Sequence, residues 1–363
     1  MALAGHPLGG GQTATLPLAG MHGVPADATA AILNVTATNT TASSYLTVYP
    51  GHATVPLASN LNFTAGQTVA NLVTVPIGAN GAVSFFNFAG RTDVVADLQG
   101  YFESGGGPLG LYNTLVPARV ADTRRGSGEP NAGATLRAGA TLTVRVAGAG
   151  GVPAVGAAAV VLNVTAVGAS AASFLTVYPS TAPRPWASSL NFLARQVVPN
   201  RVIVPLGSDG NVSIYNLTGS VDVVVDVAGW FTDSSNAQAP GYRFSPVGPM
   251  RVVDTRPGSG QPLSGLTLGA GSVDSTSVAS TAGLPMNTAG IAGNVTVADA
   301  SSSSFLTVYP AGSARPGSSD LNWTAGQVAT NMMAGGLGSG GSLSFYNLSG
   351  RVDVVIDICG FWS

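Results

Sequence analysis

Apolar residues along this chain fall in short runs, separated by glycine, proline and small polar residues, and within several runs they alternate with polar ones. In Thr141 to Val146, Leu142, Val144 and Val146 alternate with Thr141, Thr143 and Arg145, the two-residue period of a strand with one buried face. Ala159 to Thr165, Phe174 to Tyr178, Arg201 to Pro205, Val212 to Asn216 and Val221 to Phe231 are further candidate strands in the same stretch. The 49 glycines and 23 prolines sit between such runs, as they do where short strands are joined by tight turns. No run reaches the roughly 18 apolar residues of a membrane span. The pattern predicts an all-β chain.

The runs recur in a fixed order. Leu33-Asn34-Val35-Thr36 returns as Leu162 to Thr165 and as Gly293 to Thr296, at spacings of 129 and 131 residues. Leu46 to Pro50, Leu175 to Pro179 and Leu306 to Pro310 are identical, and Leu61-Asn62-Phe63 matches Leu190-Asn191-Phe192 and Leu321-Asn322-Trp323. Asn87, Asn216 and Asn347 open matching turns that end in Gly90, Gly219 and Gly350. The last runs, Asp93 to Phe102, Asp222 to Phe231 and Asp353 to Trp362, match as well. A period of this length is too long for a β-helix coil or a propeller blade, which takes about 45 residues. About eight strands per copy, with turn signals every ten residues or so, fit a two-sheet sandwich.

The expectation is therefore three tandem β-sandwich modules, with Ig-like and jelly-roll-like topologies both open. Module 1 covers residues 1–102, a linker 103–114, module 2 residues 115–231, a linker 232–240 and module 3 residues 241–363. Modules 2 and 3 open with Pro117 to Arg124 and Pro249 to Arg256, sharing the pattern Arg-Val-x-Asp-Thr-Arg. Module 1 has no such segment; its counterpart would fall before Met1.

Hydrophobic residues make up 45% of the chain and charged ones 8%, against a usual charged fraction of about a quarter, so charge-driven disorder is excluded. The 14 cations are all arginines, scattered singly apart from Arg124-Arg125, and net charge is −2. No basic stripe for nucleic acid exists, and a near-neutral, threonine-rich surface favours association. One cysteine, Cys359, permits no disulfide within the chain; it reads as a small buried hydrophobe, aligned with Leu98 and Ala228 of the other copies. Met1 to Gly11 lacks the layout of a signal peptide.

Against so sparse a charge background, recurring charges mark candidate sites. Asp93 and Asp97, Asp222 and Asp226, and Asp353 and Asp357 lie four apart on a strand and so project from one face. Arg119, Asp122 and Arg124 recur as Arg251, Asp254 and Arg256. The reading that needs least is structural, with arginines clamping the first strand of a module to aspartates of its last. Calcium held by the aspartates is the alternative, although no glycine-rich ligand loop accompanies them. A carboxylate-pair glycosidase would need a polar, aromatic cleft that these valine-rich strands do not offer. His6, His22 and His52 all fall in module 1, so neither a Ser-His-Asp nor a zinc site belongs to the repeat. Tyr49, Tyr178 and Tyr309, beside the strands bearing Asn62, Asn191 and Asn322, either fill the core or form sugar-binding platforms.

The set Arg-Val-x-Asp-Thr-Arg (Arg119 to Arg124, Arg251 to Arg256), Leu-Asn-Val-Thr (Leu33 to Thr36, Leu162 to Thr165), Leu-Thr-Val-Tyr-Pro (Leu46 to Pro50 and its copies), Ser-x-Leu-Asn-Phe and the final Asp222 to Phe231 type of strand resembles a repeat of secreted and cell-surface proteins of actinobacteria. The resemblance covers essentially the whole chain. It implies an extracellular or surface location and a non-catalytic role in attachment or scaffolding, in proteins that often also carry exported enzymes; no companion catalytic domain is present here. The combined expectation is a structural or adhesive repeat protein without a cofactor. Its partners would be itself, as a homo-oligomer or filament, or a cell-surface polymer. A carbohydrate- or cell-wall-binding accessory module is the rival and a hydrolase the third class.

Overall fold

The structure, a computed structural model, describes residues 5–105, 109–235 and 241–363. Met1 and parts of both expected linkers, 106–108 and 236–240, lie outside the described residues. The first group of strands is β1 (Leu8–Gly9), β2 (Gln12–Pro17), β3 (Ala28–Thr38), β4 (Ser44–Pro50), β5 (Leu61–Phe63), β6 (Val69–Pro76), β7 (Ala82–Asn87) and β8 (Arg91–Glu103). The second is β9 (Tyr112–Asp122), β10 (Thr141–Arg145), β11 (Ala157–Val167), β12 (Ser173–Pro179), β13 (Leu190–Phe192), β14 (Val198–Pro205), β15 (Asn211–Asn216) and β16 (Asp222–Thr232). The third is β17 (Phe244–Asp254), β18 (Val273–Ser277), β19 (Gly290–Ala298), β20 (Ser304–Pro310), β21 (Leu321–Trp323), β22 (Ala329–Gly336), β23 (Ser342–Asn347) and β24 (Asp353–Trp362), with one short helix, α1 (Val278–Ala282).

Each group forms two four-stranded antiparallel sheets, ordered β1-β8-β3-β6 and β2-β7-β4-β5 in the first, with the same order in the other two. First strand beside last, and second beside seventh, is the double Greek key of a jelly roll. That order settles the topology that strand count and turn spacing left open. The turn between the seventh and eighth strands shows why its residues recur. Asn87 Nδ2 donates to the carbonyls of Leu8 (3.0 Å) and Gly90 (3.2 Å), and its Oδ1 accepts from Ser44 Oγ (2.9 Å). Gly90 has φ +62°, and a Cβ there would come within 2.6 Å of the Ala42 methyl, so only glycine closes this turn.

The first of two details agrees with the sequence reading and the second corrects it. β1 is not the counterpart of β9 and β17: Leu8 pairs with Thr92 as Leu136 bridges Val221 and Leu268 bridges Val352, beyond the opening strand. The first module therefore has no strand, among the described residues, where β9 and β17 lie. Second, Tyr112 to Thr114, assigned to a linker from sequence, open β9, and the Tyr112 ring is fully buried.

Each sandwich has its own core, and the central strands are buried on both faces. In β11, Val160, Leu162, Val164 and Ala166 fill the sandwich, while Val161 points outward into a fourth core shared by all three modules. Ile32 of β3 and Ala292 of β19 occupy the same position. Phe102, Phe231 and Trp362, at the ends of the three last strands, meet there with Tyr112 and Phe244, which open β9 and β17. Phe102 stacks on Phe244 at 4.2 Å, and Tyr112 lies 4.2 Å from Trp362. Each large apolar side chain buried there contributes about 1.5–3 kcal/mol, so the three sandwiches form one body around a pseudo-threefold axis.

Candidate functional site

The recurring charges lie where the first strand of a module meets its last. Arg119 on β9 grips Asp226 on β16 with two parallel bonds, Nε to Oδ1 at 2.9 Å and Nη2 to Oδ2 at 3.3 Å, and reaches Asp122 at 3.4 Å. Arg124 folds back on Asp122, with its Nη2 2.5 Å from Oδ2 and its backbone N–H also donating to the carboxylate. Module 3 repeats this with Arg251 on Asp357 (2.9 and 3.1 Å) and Asp254 (3.2 Å), and Arg256 on Asp254 (2.6 Å). Asp222 and Asp353 are held by hydroxyls instead: Thr123 and Thr135 donate to Asp222, and Thr255 to Asp353.

Electrostatics follow from this geometry. Burial pushes the Asp122 and Asp254 carboxyls up, but the hydrogen bonds and charge of Arg124 and Arg256 outweigh it and hold both below the usual carboxylate range. At the more deeply enclosed Asp226 and Asp357, burial prevails over Arg119 and Arg251, and both carboxyls sit above that range. The aspartate oxygens offered to calcium are thus occupied by arginine and hydroxyl donors in modules 2 and 3. No group of three or more His, Cys, Asp or Glu side chains gathers to hold a metal among the described residues.

Module 1 differs. Asp93 accepts from the Asn39 amide at 2.8 Å, and Asp97, half-buried, has no hydrogen-bond or ion-pair partner among the described residues. Burial alone pushes the Asp97 carboxyl up. Where β16 is buried almost throughout, β8 is partly open, and its outer edge beyond Thr92 pairs with no strand among the described residues. A groove of about 700 Å³ runs along this edge, walled by Asp97 and Gln99 of β8 and by Tyr178, Pro179 and Pro205 of module 2.

Replacing Asp226 with alanine should destabilise the protein by about 2–3 kcal/mol, because Arg119 loses its bidentate partner in a largely buried setting. Asp97→Ala, at the same position of module 1, should stay within about 0.5 kcal/mol of the parent. Urea unfolding of the two variants checks the contrast; equal midpoints would remove the structural role of the Arg119–Asp226 pair.

The candidate sugar platforms are corrected by burial. Tyr49, Tyr178 and Tyr309 are all buried, so they form no repeated exposed platform, although Tyr178 contributes to the wall of the groove. The amides of Asn62, Asn191 and Asn322 donate to Ser59, Ser188 and Ser319 in their own turns. Cys359 is also re-registered. Leu98, Val227 and Ile358 are the true equivalents, and Gln99, Ala228 and Cys359 are the extra residues of a β-bulge in each last strand. Ala228 and Cys359 lie in the shared core, and burial raises the Cys359 thiol to about 12, which leaves it an inert filler.

Sequence reasoning missed the polar seam between modules. Asn71 Nδ2 donates to Asn294 Oδ1 (3.0 Å), Asn200 Nδ2 to Asn34 Oδ1 (3.1 Å) and Asn331 Nδ2 to Asn163 Oδ1 (2.9 Å), so the three bonds run round the axis in one sense. Each Oδ1 of Asn71, Asn200 and Asn331 accepts a backbone N–H from a neighbouring module: Met332, Leu72 and Arg201 respectively. These N–H groups belong to edge strands β22, β6 and β14, whose otherwise unpaired edges are thereby capped. One ion pair breaks the symmetry, Arg201 Nη2 to Asp320 Oδ1 at 2.5 Å, buried between modules 2 and 3. The signal was present: an asparagine at the same place in all three copies of an otherwise apolar strand.

No protein-family model and no curated protein sequence matches the chain. Two solved structures are similar over most of its length. One, from the atomic structure of Sulfolobus Turreted Icosahedral Virus, is 10% identical with a TM-score of 0.22, covering 98% of this chain and 85% of that one. The other, from work on the triple jelly roll fold and turret assembly in an archaeal virus, is 11% identical with a TM-score of 0.22, covering 97% and 84%. At that TM-score the likeness carries no argument; the jelly-roll assignment rests on the strand order.

Proposed function

We propose that this protein is a non-enzymatic structural block, displayed outside the cell or at its surface, that assembles with copies of itself or with a surface polymer. The observation that carries the structural reading is the closed seam: three jelly rolls locked by a shared core and a ring of buried asparagines. Such a body resists hinge motion, which suits a scaffold better than a machine that opens and closes around substrate. In modules 2 and 3 the recurring charges join strands within the module, and no nucleophile and base recur together in the repeat. The sparse charge and threonine-rich surface favour association between copies.

Light scattering on the purified protein across a concentration range, with and without calcium, tests this. Growth into large species is the expected result, and calcium dependence would return the open carboxylates of module 1 to consideration as ligands. A steady 36.0 kDa species under every condition would overturn self-assembly.

A further inference from the structure

We propose that the groove beside β8 receives an extended peptide strand from outside these 363 residues, carrying an aromatic residue opposite Phe102 and, seven positions later, an arginine opposite Asp97. The inference rests on the structural reading above and names the partner that the block would take at this place.

The argument is a comparison of three equivalent slots, two of them filled. β9 lies between β16 of its own sandwich and β20 and β22 of module 3, and β17 lies between β24 and β4 and β6 of module 1. Rotated once more about the axis, the same slot lies between β8 and β12 and β14 of module 2. Its walls are Tyr178 and Pro179 of β12 and Val204 and Pro205 of β14, the strands that symmetry requires, and it is open.

The filled slots set the register. Tyr112 pairs with Phe231 and Arg119 with Asp226; Phe244 pairs with Trp362 and Arg251 with Asp357. Carried onto β8, these pairings fall at Phe102 and Asp97. The aromatic positions on the axis support the first: Tyr112 lies between Phe231 and Trp362, Phe244 lies between Trp362 and Phe102, and among the described residues no third ring lies in the same way between Phe102 and Phe231, which meet directly at 6.3 Å. Charge supports the second. Asp97 is the member of its triplet that lacks a guanidinium, and a strand laid on the β8 edge would bring one while pairing the open backbone groups by strand addition. Arg119 in the filled slot also reaches the Gly317 carbonyl of module 3 at 3.4 Å, and the residue matching Gly317 in module 2 is Trp186, fully exposed between the groove-lining Pro185 and Ala187.

A second copy of the chain is disfavoured as donor. Both of its own candidate strands, β9 and β17, are paired along their length in their own modules, and giving one up would open a core.

The probe is a synthetic peptide with the sequence of residues 112–124, fluorescently labelled and titrated into the intact protein. Anisotropy is expected to show saturable one-to-one binding with a change in tryptophan emission that is lost in Trp186→Phe, since Trp186 is exposed beside the groove. Asp97→Ala in the protein, and alanine for the arginine matching Arg119 in the peptide, should each weaken binding at least tenfold, while the far-UV spectrum and melting point of the variant stay those of the parent. In a second arm the same segment is fused ahead of the chain, which should raise the melting temperature only when its arginine is retained. Absence of both binding and stabilisation would overturn the proposal, as would binding indifferent to Asp97. A dimer of the chain that the peptide dissociates would place a second copy in the slot and overturn the outside strand. Self-assembly in the scattering experiment is read separately, so a monomer that binds the peptide would reject the assembly reading and keep this one.

Discussion

Replacing Asp320 with alanine is expected to cost about 3–5 kcal/mol, the largest loss from any single charge in the protein. Asp320 and Arg201 are 5% and 3% exposed and meet across the seam between modules 2 and 3. Arg201 has little else: its Nε donates to the Met332 carbonyl at 3.3 Å, and no second carboxylate pairs with it. Asp320 Oδ2 also accepts the Val308 N–H at 2.7 Å, so the substitution strands a buried cation and a buried amide together. The rest of the molecule shows that the pair is not needed for closure. At the other two seams the matching positions hold Leu72 with Ser189 and Met332 with Asn60, and those seams close without charge. The double substitution Arg201→Met with Asp320→Asn copies that solution and should recover most of the loss, because no charge is left unpaired and an amide oxygen remains for Val308. Denaturant midpoints of the single and double variants decide it. A double variant as unstable as the single one would mean that the pair contributes attraction beyond repaying its own desolvation.

Much of this was legible in the sequence, and the rest was hidden for physical reasons. The repeat, the strand content and the Arg119 and Arg251 clusters stand out because charges are rare and recur at fixed spacing. Strand order was hidden because a jelly roll and an Ig-like sandwich bury the same alternating positions; they differ in which strands, far apart in sequence, become neighbours. The seam was hidden for another reason. Asn34, Asn163 and Asn294 each follow an apolar residue in a strand, where an outward polar residue facing water is the ordinary reading. Here the outward face meets another module, so these asparagines are buried and bonded. Tyr112 was read as linker because it follows a glycine-rich stretch, yet its ring belongs to the axis. The bulge at Gln99, Ala228 and Cys359 adds one residue to each last strand alike, so the counterpart of Cys359 in module 1 is Gln99 and not Leu98, while its alignment with Ala228 stands.

Asn331→Ala tests whether the asparagine ring holds the three sandwiches as one body. The side chain serves three buried groups: it donates to Asn163 Oδ1 at 2.9 Å and to the Asp320 carbonyl at 2.7 Å, and it accepts the Arg201 N–H at 3.0 Å. Alanine leaves all three without this partner, and at about 1–3 kcal/mol for each unsatisfied buried group the loss should reach about 3 kcal/mol even if part of it relaxes. Asn331→Asp should be worse than alanine, since a carboxylate keeps the acceptor but cannot donate to Asn163 or the Asp320 carbonyl, and it would sit uncompensated beside the Asp320 backbone. The place of the damage matters as much as its size. The Arg201 amide lies on the edge of β14 and has no strand partner, so its protection from hydrogen exchange depends on Asn331 and should collapse in the variant. By the cyclic arrangement, the amides of Leu72 and Met332 depend on Asn200 and Asn71 in the same way. If they lose protection together with Arg201 when only Asn331 is changed, the ring opens as a unit. If they keep it, the seams are independent hinges and the rigid block dissolves into three modules in contact.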